Sequence, residues 1–299
     1  MKILVTGSNG LLGQKLVALL RQQREVELVA TSRGANKLAT VYPEVRFVTL
    51  DTTHREQVLQ MISQERPTHL IHTAAMTHAD ECELNQAECW RQNVEAVAHL
   101  VAACGQQQVH LLHLSTDFVF SGNQGPLAED AVPEPVNFYG HSKLAAEQLV
   151  RACQAPWTIL RTVLVYGTAH NYGRTNIVTW VRDSLRAGNP VRVVNDQLRT
   201  PTLAEDLAMG CWLAARHNAT GIYHLGGPEL YTPYQIALAV AAHFNLDTSL
   251  ISPVDASTFT QPARRPLRTG FIIEKAQREL GYQPHTLAEG IALLASQTA

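Results

Sequence analysis

The alternation of apolar and polar segments along the chain predicts short buried strands separated by helices. Apolar runs bounded by small or polar residues lie at 2–6, 26–30, 46–51, 69–75, 109–117 and 157–167. Segments of helical period follow several of these runs, such as Leu11 to about Arg21 and Asn93 to Cys104. Strands that alternate with helices in this way favour a parallel, doubly wound α/β sheet with right-handed connections.

The pattern becomes less regular after Gly167, which indicates a second, smaller unit. Further helices and strands are predicted at 176–187, 191–194, 203–216, 221–225 and 232–244, and two helices close the chain. Thr232 suits the N-cap of the helix that follows it, and Pro233 suits the first helical position. We therefore expect a sheet domain at 1–167 and a mixed α/β lobe at 168–299, with part of 190–225 packing back on the sheet.

The composition is that of an ordinary globular protein and argues against several functions. Hydrophobic residues make up 45% and charged residues 17% of the chain, and the formal net charge is −2. This charge gives no reason to expect a nucleic-acid partner, and no apolar run is long enough for a membrane span. The five cysteines are odd in number and lack CxxC spacing, so we expect no disulfide framework and no metal site. The start of the chain lacks a signal-peptide pattern, which favours the cytoplasm.

A glycine-rich loop follows the first predicted strand. Gly7, Gly10 and Gly13 form a GxxGxxG pattern that also contains Asn9 and leads into a helix at Leu11. Glycines allow a tight turn and let the backbone approach a pyrophosphate, which binds at the positive helix N-terminus. Glycine-rich turns are common in other settings, but the strand before and the helix after favour dinucleotide binding and a Rossmann-like sheet.

The end of the second strand indicates which dinucleotide is bound. An acidic residue about 20 positions past the loop holds the ribose hydroxyl in many NAD-binding folds. Here Ser32 and Arg33 occupy that place, and an arginine with a hydroxyl suits a 2′-phosphate. The sequence therefore favours NADP(H) over NAD, although Arg33 could also be an ordinary surface arginine.

Two further strand ends supply candidate cofactor contacts. Asp51 and Thr52 follow the third strand and could contact the adenine. Thr73, Ala74 and Ala75 end the fourth strand with small side chains, which would let the cofactor lie close to the backbone.

A tyrosine and a lysine four residues apart are the candidate catalytic groups. Tyr139 and Lys143 lie on one face of a predicted helix, and a nearby ammonium lowers the pKa of a phenol. We therefore expect a proton donor that works near neutral pH. Thr116 ends the fifth strand, where its hydroxyl could bind a substrate carbonyl beside Tyr139. His110 and His113 are three apart on a strand and point to opposite faces, so they do not form a metal pair.

Four motifs together resemble those of the extended short-chain dehydrogenases/reductases, and within them the dTDP-4-dehydrorhamnose reductase branch. They are TGSNGLLG at 6–13, STDFVF at 115–120, YGHSK at 139–143, and LRT with VYG between 160 and 167. The resemblance implies that 1–167 binds NADP(H), that 168–299 binds substrate, and that a carbonyl of a nucleotide sugar or related small molecule is reduced. A homodimer is possible.

The resemblance also implies a role for individual residues. Tyr139 would be the acid/base, Lys143 would lower its pKa and hold the nicotinamide ribose, and Thr116 would complete the triad. Asp117 is a further candidate substrate contact. Independently of the resemblance, Arg265 with Arg264 could grip a diphosphate of the substrate, and a solvated arginine pair is the alternative.

The sequence departs from this branch in the part that would bind substrate. Leu164 stands where relatives have tryptophan, Arg199 where they have glycine, and Arg268 where they have asparagine. We therefore expect a carbonyl other than that of dTDP-4-dehydrorhamnose, on a substrate with an anionic group near these cations. A sugar dehydratase is disfavoured because Phe118 replaces the second carboxylate of an Asp-Glu pair. A non-catalytic subunit similar to the regulatory subunit of methionine adenosyltransferase is the alternative.

Overall fold

A seven-stranded parallel sheet forms the centre of the molecule. The structure, a computed structural model, describes residues 1–297. The strands of the sheet are β1 (Lys2–Thr6), β2 (Glu27–Ser32), β3 (Arg46–Thr49), β4 (His69–His72), β5 (His110–Thr116), β6 (Trp157–Thr162) and β10 (Gly221–Leu225). Their spatial order is β10-β6-β5-β4-β1-β2-β3, which confirms the predicted Rossmann-like, doubly wound α/β fold.

Helices cover both faces of the sheet, and further helices lie in the carboxyl-terminal part of the chain. They are α1 (Leu11–Leu20), α2 (Arg55–Glu65), α3 (Ala79–Leu84), α4 (Gln86–Trp90), α5 (Ala96–Gln107), α6 (Phe138–Arg151), α7 (Ile177–Arg186), α8 (Ala204–Arg216), α9 (Pro233–Phe244), α10 (Glu274–Leu280) and α11 (Leu287–Gln297). None of the helices within 1–297 is long and apolar enough to cross a membrane.

The alternation of side chains along the strands explains the two layers of helices. In β1, Ile3 and Val5 point to one face and join a core with α1 and α8, whereas Leu4 points to the other face and joins a core with α2 and α5. All residues of β5 are buried, as expected for a central strand of a parallel sheet covered on both sides.

The chain beyond the sixth strand builds smaller sheets and then returns to the central one. Two parallel pairs form here, β7 (Val165–Tyr166) with β9 (Thr202–Leu203), and β8 (Val191–Val194) with β11 (Ile251–Val254). A third core packs β8 against α7, α9 and α11. β10 then pairs with β6 at the edge of the central sheet. The division into lobes at 167/168 remains a prediction.

Two helix starts follow from local sequence chemistry. Thr232 caps α9 by accepting from the Gln235 backbone N–H, and the Gln235 side chain bonds back in a capping box. Asn137 caps α6 by accepting from the Gly140 N–H at 2.8 Å. This cap starts α6 before Tyr139, so Tyr139 and Lys143 lie on one helix as expected.

Candidate active site

The carboxyl ends of the parallel strands bring the sequence-predicted cofactor residues to one edge of the sheet. β1 lies between β4 and β2, so the chain continues to one side of β1 through β2 and β3 and to its other side through β4 and β5. This reversal of strand order opens a crevice at the carboxyl ends of the strands, where ligands bind in such sheets. The residues at this edge are Gly7, Gly10 and Gly13 after β1, Ser32 and Arg33 at the end of β2, Asp51 and Thr52 after β3, Thr73, Ala74 and Ala75 after β4, and Thr116 at the end of β5.

The glycine loop leaves room for a ligand beside the start of α1. Gly7 has a φ of +72°, and a Cβ there would lie 2.7 Å from the Ala74 backbone nitrogen. A Cβ on Gly13 would overlap the Gly7 carbonyl oxygen, so α1 packs directly on the turn. No side chain caps the first N–H groups of α1, and the buried Ser8 hydroxyl has no hydrogen-bond partner among the described residues. These donors fit a pyrophosphate.

Asn9 has a structural task within this loop. Its side chain donates to the Ala35 carbonyl at 2.8 Å and accepts from the Lys37 N–H at 3.0 Å. Asn9 therefore fixes the segment after β2 against the glycine loop, and a contact of its side chain with cofactor remains a prediction.

The strand end predicted to hold a 2′-phosphate carries an exposed cation. Arg33 extends from the end of β2 and donates to Gln92 at 3.4 Å. Burial acts to raise the pKa of the Asp51 carboxyl, but hydrogen bonds from Thr53 and the charge of Arg33 outweigh it and lower that pKa. The charge of Arg33 at the end of β2 thus acts on Asp51, which follows the neighbouring strand β3.

The end of β4 offers little side-chain bulk. Thr73, Ala74 and Ala75 are half-buried, and the Thr73 hydroxyl donates to the Thr6 carbonyl at 2.7 Å. The hydroxyl is used within the protein, so the backbone of this segment is the surface that a cofactor would meet.

Tyr139 and Thr116 meet in the candidate catalytic centre. A Cβ on Gly140 would overlap the Phe118 carbonyl oxygen, so the start of α6 lies directly against the segment after β5. The Thr116 side chain lies close enough to the Tyr139 hydroxyl to act on its pKa. Burial raises the pKa of Tyr139, and Thr116 only partly offsets the effect.

The pKa of Tyr139 is raised and not lowered, contrary to the expectation from its spacing with Lys143. The Lys143 ammonium donates to the Leu114 carbonyl at 2.7 Å and to His113 Nε2 at 3.2 Å, so it is turned towards β5. Burial lowers the pKa of Lys143 to about 8, and burial holds the pKa of His113 well below its usual value. A neutral imidazole can accept from the ammonium, so His113 positions Lys143 without being a metal ligand.

Asn93 is a residue whose role the sequence did not reveal. It lies in a five-residue π-helical turn, Arg91–Glu95, immediately before α5. Its side-chain oxygen accepts from the Met76 N–H at 2.8 Å, and its amide donates to the Met76 carbonyl at 2.9 Å and to Ser142 at 3.0 Å. Asn93 therefore ties the segment after β4 to α6. The sequence signal for this role was an asparagine inside a predicted helix.

Asp117 and Arg199 form a buried ion pair next to Thr116. Asp117 Oδ1 accepts from the Thr116 hydroxyl at 3.1 Å, and Asp117 Oδ2 lies 3.6 Å from Arg199 Nε. The expectation that Arg199 presents a free cation to the substrate is wrong, because its guanidinium is only 4% exposed and bonds to protein groups. Leu164 packs between two cores, whereas Arg268 is exposed.

Arg265 lies at a cavity but is already paired. Its guanidinium makes two bonds to the Asp80 carboxylate, at 2.5 and 2.6 Å. With Arg264, Gln197 and Phe259 it lines a cavity of about 320 Å³. The predicted substrate contact of Arg265 therefore stays a prediction, and Asp80 positions its side chain. No group of metal-ligating side chains occurs within 1–297.

Comparison with known proteins places these features in a family context. The RmlD substrate binding domain family matches residues 1–299. A dTDP-4-keto-6-deoxy-D-glucose reductase of Streptomyces niveus is 34% identical over 94% of this chain and 91% of its own. The methionine adenosyltransferase 2 subunit beta of Xenopus laevis is 29% identical over 85% of this chain and 75% of its own. The crystal structure of a dTDP-4-dehydrorhamnose reductase from Bacillus anthracis in complex with NADP has a TM-score of 0.86 at 26% identity and covers 99% of both chains.

Proposed function

We propose that this chain, which belongs to the RmlD substrate binding domain family, uses NADPH to reduce the keto group of a dTDP-linked 4-keto-6-deoxyhexose. The chain is an NAD(P)-dependent oxidoreductase of the extended short-chain dehydrogenase/reductase type. The observation that carries the proposal is the placement of Thr116 close to Tyr139, at the edge of the sheet where the glycine loop also lies. The name of the Streptomyces relative supports the choice of sugar.

The proposed reaction needs one hydride and one proton. The glycine loop would hold NADPH, which would supply the hydride that the carbonyl carbon accepts. Tyr139 donates its hydroxyl proton to the carbonyl oxygen, with the Thr116 side chain close beside it. General acid catalysis of this kind contributes roughly 10²–10⁴-fold to a rate. The Lys143 ammonium, held on β5, adds positive charge behind the site and would bind the nicotinamide ribose.

Two features support NADPH as the preferred cofactor. Arg33 stands exposed at the end of β2, where its guanidinium can bind a 2′-phosphate. The B. anthracis reductase of similar fold was solved with NADP. Asp51, after the neighbouring strand β3, would hydrogen-bond a ribose or adenine group.

A non-catalytic subunit is the second candidate function. The likeness to the methionine adenosyltransferase subunit favours it. The presence of Thr116, Tyr139 and Lys143 together at one edge of the sheet supports an enzyme instead. The expected homodimer stays a prediction that light scattering on the purified protein would test. We propose a reducing compartment such as the cytoplasm, in keeping with cysteines that are free throughout the described residues.

The test is a side-by-side assay of dTDP-4-keto-6-deoxyglucose and dTDP-4-dehydrorhamnose with NADPH, in which the loss of NADPH absorbance is followed. We expect turnover of the first sugar with a kcat/KM of about 10⁴ M⁻¹s⁻¹ or more, the ordinary range for enzymes. Comparable turnover of dTDP-4-dehydrorhamnose would assign the rhamnose precursor as substrate. Absence of NADPH oxidation with both sugars, in a protein that binds NADPH, would favour the subunit.

A further inference from the structure

Arg199 is a buried cation that the proposed reaction does not use directly. It lies in the loop between β8 and β9. Its guanidinium donates to a ring of acceptors, which are the carbonyl oxygens of Leu198 at 2.8 Å, Leu267 at 3.0 Å and Pro266 at 2.6 Å, and the side-chain oxygen of Gln197 at 3.3 Å. These bonds fix the guanidinium in one place, with Nε 3.6 Å from Asp117 Oδ2.

Asp117 connects this cation to the catalytic hydroxyls. The Thr269 hydroxyl donates to Asp117 Oδ2 at 2.5 Å, and the Thr116 hydroxyl donates to Oδ1 at 3.1 Å. Thr116 in turn lies close enough to Tyr139 to act on its pKa. A chain of contacts therefore runs from Arg199 through Asp117 to Thr116, which neighbours the proton donor.

The charge on Asp117 affects the proton donor. Burial raises the pKa of Asp117, while the charge of Arg199 and the hydroxyl donors act to lower it. The Asp117 charge in turn adds to the effect of burial in raising the pKa of Tyr139. An uncompensated carboxylate at this position would make Tyr139 a weaker acid, and a positive charge at 3.6 Å offsets it.

We propose that Arg199 is a positioning residue that compensates Asp117 and so, through Asp117 and Thr116, keeps Tyr139 an effective proton donor. The proposal rests on the proposed reductase function. Arg199 itself touches neither of the catalytic hydroxyls, and its effect is exerted across the Asp117 carboxylate.

The effects of other titratable groups near Tyr139 have to be distinguished from the effect of Asp117. The thiols of Cys82 and Cys89, on α3 and α4, also raise the pKa of Tyr139. Lys143 lies on the same helix as Tyr139 and bonds to β5. A Cys89→Ala variant, measured alongside, identifies any limb in the pH profile that comes from a thiol.

The experiment compares Arg199→Met, Arg199→Lys and the double variant Arg199→Met with Asp117→Asn. Arg186→Met is the matched control, because it removes an exposed arginine that contacts Phe244 on α9, outside the site. For each protein we would measure kcat, KM, the NADPH dissociation constant and the dependence of kcat on pH.

We expect Arg199→Met to lower kcat about tenfold at neutral pH, which corresponds to about one unit in the Tyr139 pKa. KM and the NADPH dissociation constant should change by less than about threefold, a difference well under 1.4 kcal/mol. In Arg199→Met, kcat should fall with rising pH as Asp117 ionises, and this ionisation should lie at a higher pH than in the unchanged protein because Arg199 no longer lowers the Asp117 pKa. Arg199→Lys should recover part of kcat. The double variant should lack the fall in kcat with rising pH that ionisation of Asp117 causes.

A second readout does not depend on turnover. The folded-state pKa of Asp117 is already raised by burial, and removal of Arg199 should raise it further, so ionisation of Asp117 destabilises the fold more strongly as pH rises. The Tm of Arg199→Met should therefore fall with rising pH relative to the double variant. If Arg199→Met does not fold, Arg199→Lys and the double variant carry the test, since neither leaves a bare buried carboxylate.

The proposal is overturned if Arg199→Met turns over with the kcat and pH profile of the unchanged protein, or if its loss lies wholly in KM. It is also overturned if Arg199→Met and the double variant have the same pH dependence of Tm. Failure of the proposed function looks different, because the unchanged protein would then oxidise no NADPH with either sugar.

Discussion

The buried ammonium of Lys143 should make stability and activity respond to pH in opposite directions. Burial lowers the pKa of Lys143 from 10.5 to about 8 in the folded protein. The unfolded chain therefore binds more protons than the folded one between these values, and stability rises with pH in that window. Activity should fall over the same window, because the positive charge behind the site is lost as the ammonium deprotonates.

The size of the effect follows from the shift in pKa. With a folded-state pKa of about 8 and an unfolded one of 10.5, this group destabilises the fold by roughly 3 kcal/mol at about pH 7 and by roughly 1.4 kcal/mol at about pH 9.5. The unchanged protein should thus gain about 2 kcal/mol from this group between the two conditions. Hydrogen bonds from the Lys143 ammonium to the Leu114 carbonyl and His113 reduce the destabilisation but not its sign.

The assay is urea unfolding of the unchanged protein and of Lys143→Met at both pH values. Lys143→Met lacks the titrating group, so the difference in unfolding free energy between the two proteins should change by about 2 kcal/mol. Lys275→Met is the matched control, because Lys275 lies on α10 outside the site and is only half-buried. The reasoning is refuted if the difference between Lys143→Met and the unchanged protein is the same at both pH values.

Three substitutions test the other assigned groups. Tyr139→Phe should still bind NADPH and lose roughly 10²-fold or more in kcat, the share of general acid catalysis, and retained turnover would mean that the proton comes from elsewhere. Arg33→Asp should reverse the preference for NADPH over NADH in binding measurements, and equal dissociation constants in the unchanged protein would contradict the role of Arg33. Gly13→Ala should abolish NADPH binding because its Cβ would overlap the Gly7 carbonyl oxygen, whereas Gly34→Ala, with no heavy atom within 4 Å of the added Cβ, should bind as the unchanged protein does.

The parts of the fold that the sequence predicted are those set by local pattern. The strands and the glycine turn at Gly7 depend on apolar runs and backbone freedom, which are visible in a few neighbouring residues. The place of Thr116 at the edge of the sheet follows from the end of a buried strand. Strand ends were predicted too far along the chain after β3 and β4, because residues such as Asp51 leave the ladder to form turns.

The parts that the sequence could not predict depend on side chains far apart in the chain. Lys143 is four residues from Tyr139, yet its ammonium reaches β5 and a partner 30 residues away. Arg265 pairs with Asp80, which is 185 residues earlier. Spacing along a helix shows which side chains can be neighbours, but it does not show which of several partners a long flexible side chain will reach.

Arg199 illustrates why the direction of a side chain decides its function. In the sequence, Arg199 adds a cation to the part of the chain that is predicted to bind substrate, and this charge suggested an anionic substrate. In the structure the same charge is turned inward to Asp117 and to backbone carbonyls, so it contributes no free positive charge to a ligand. Because leaving either partner of a buried ion pair alone is costly, Arg199 and Asp117 should be considered together. The departure from glycine at this position therefore bears on proton transfer at Tyr139 more directly than on the charge of the substrate.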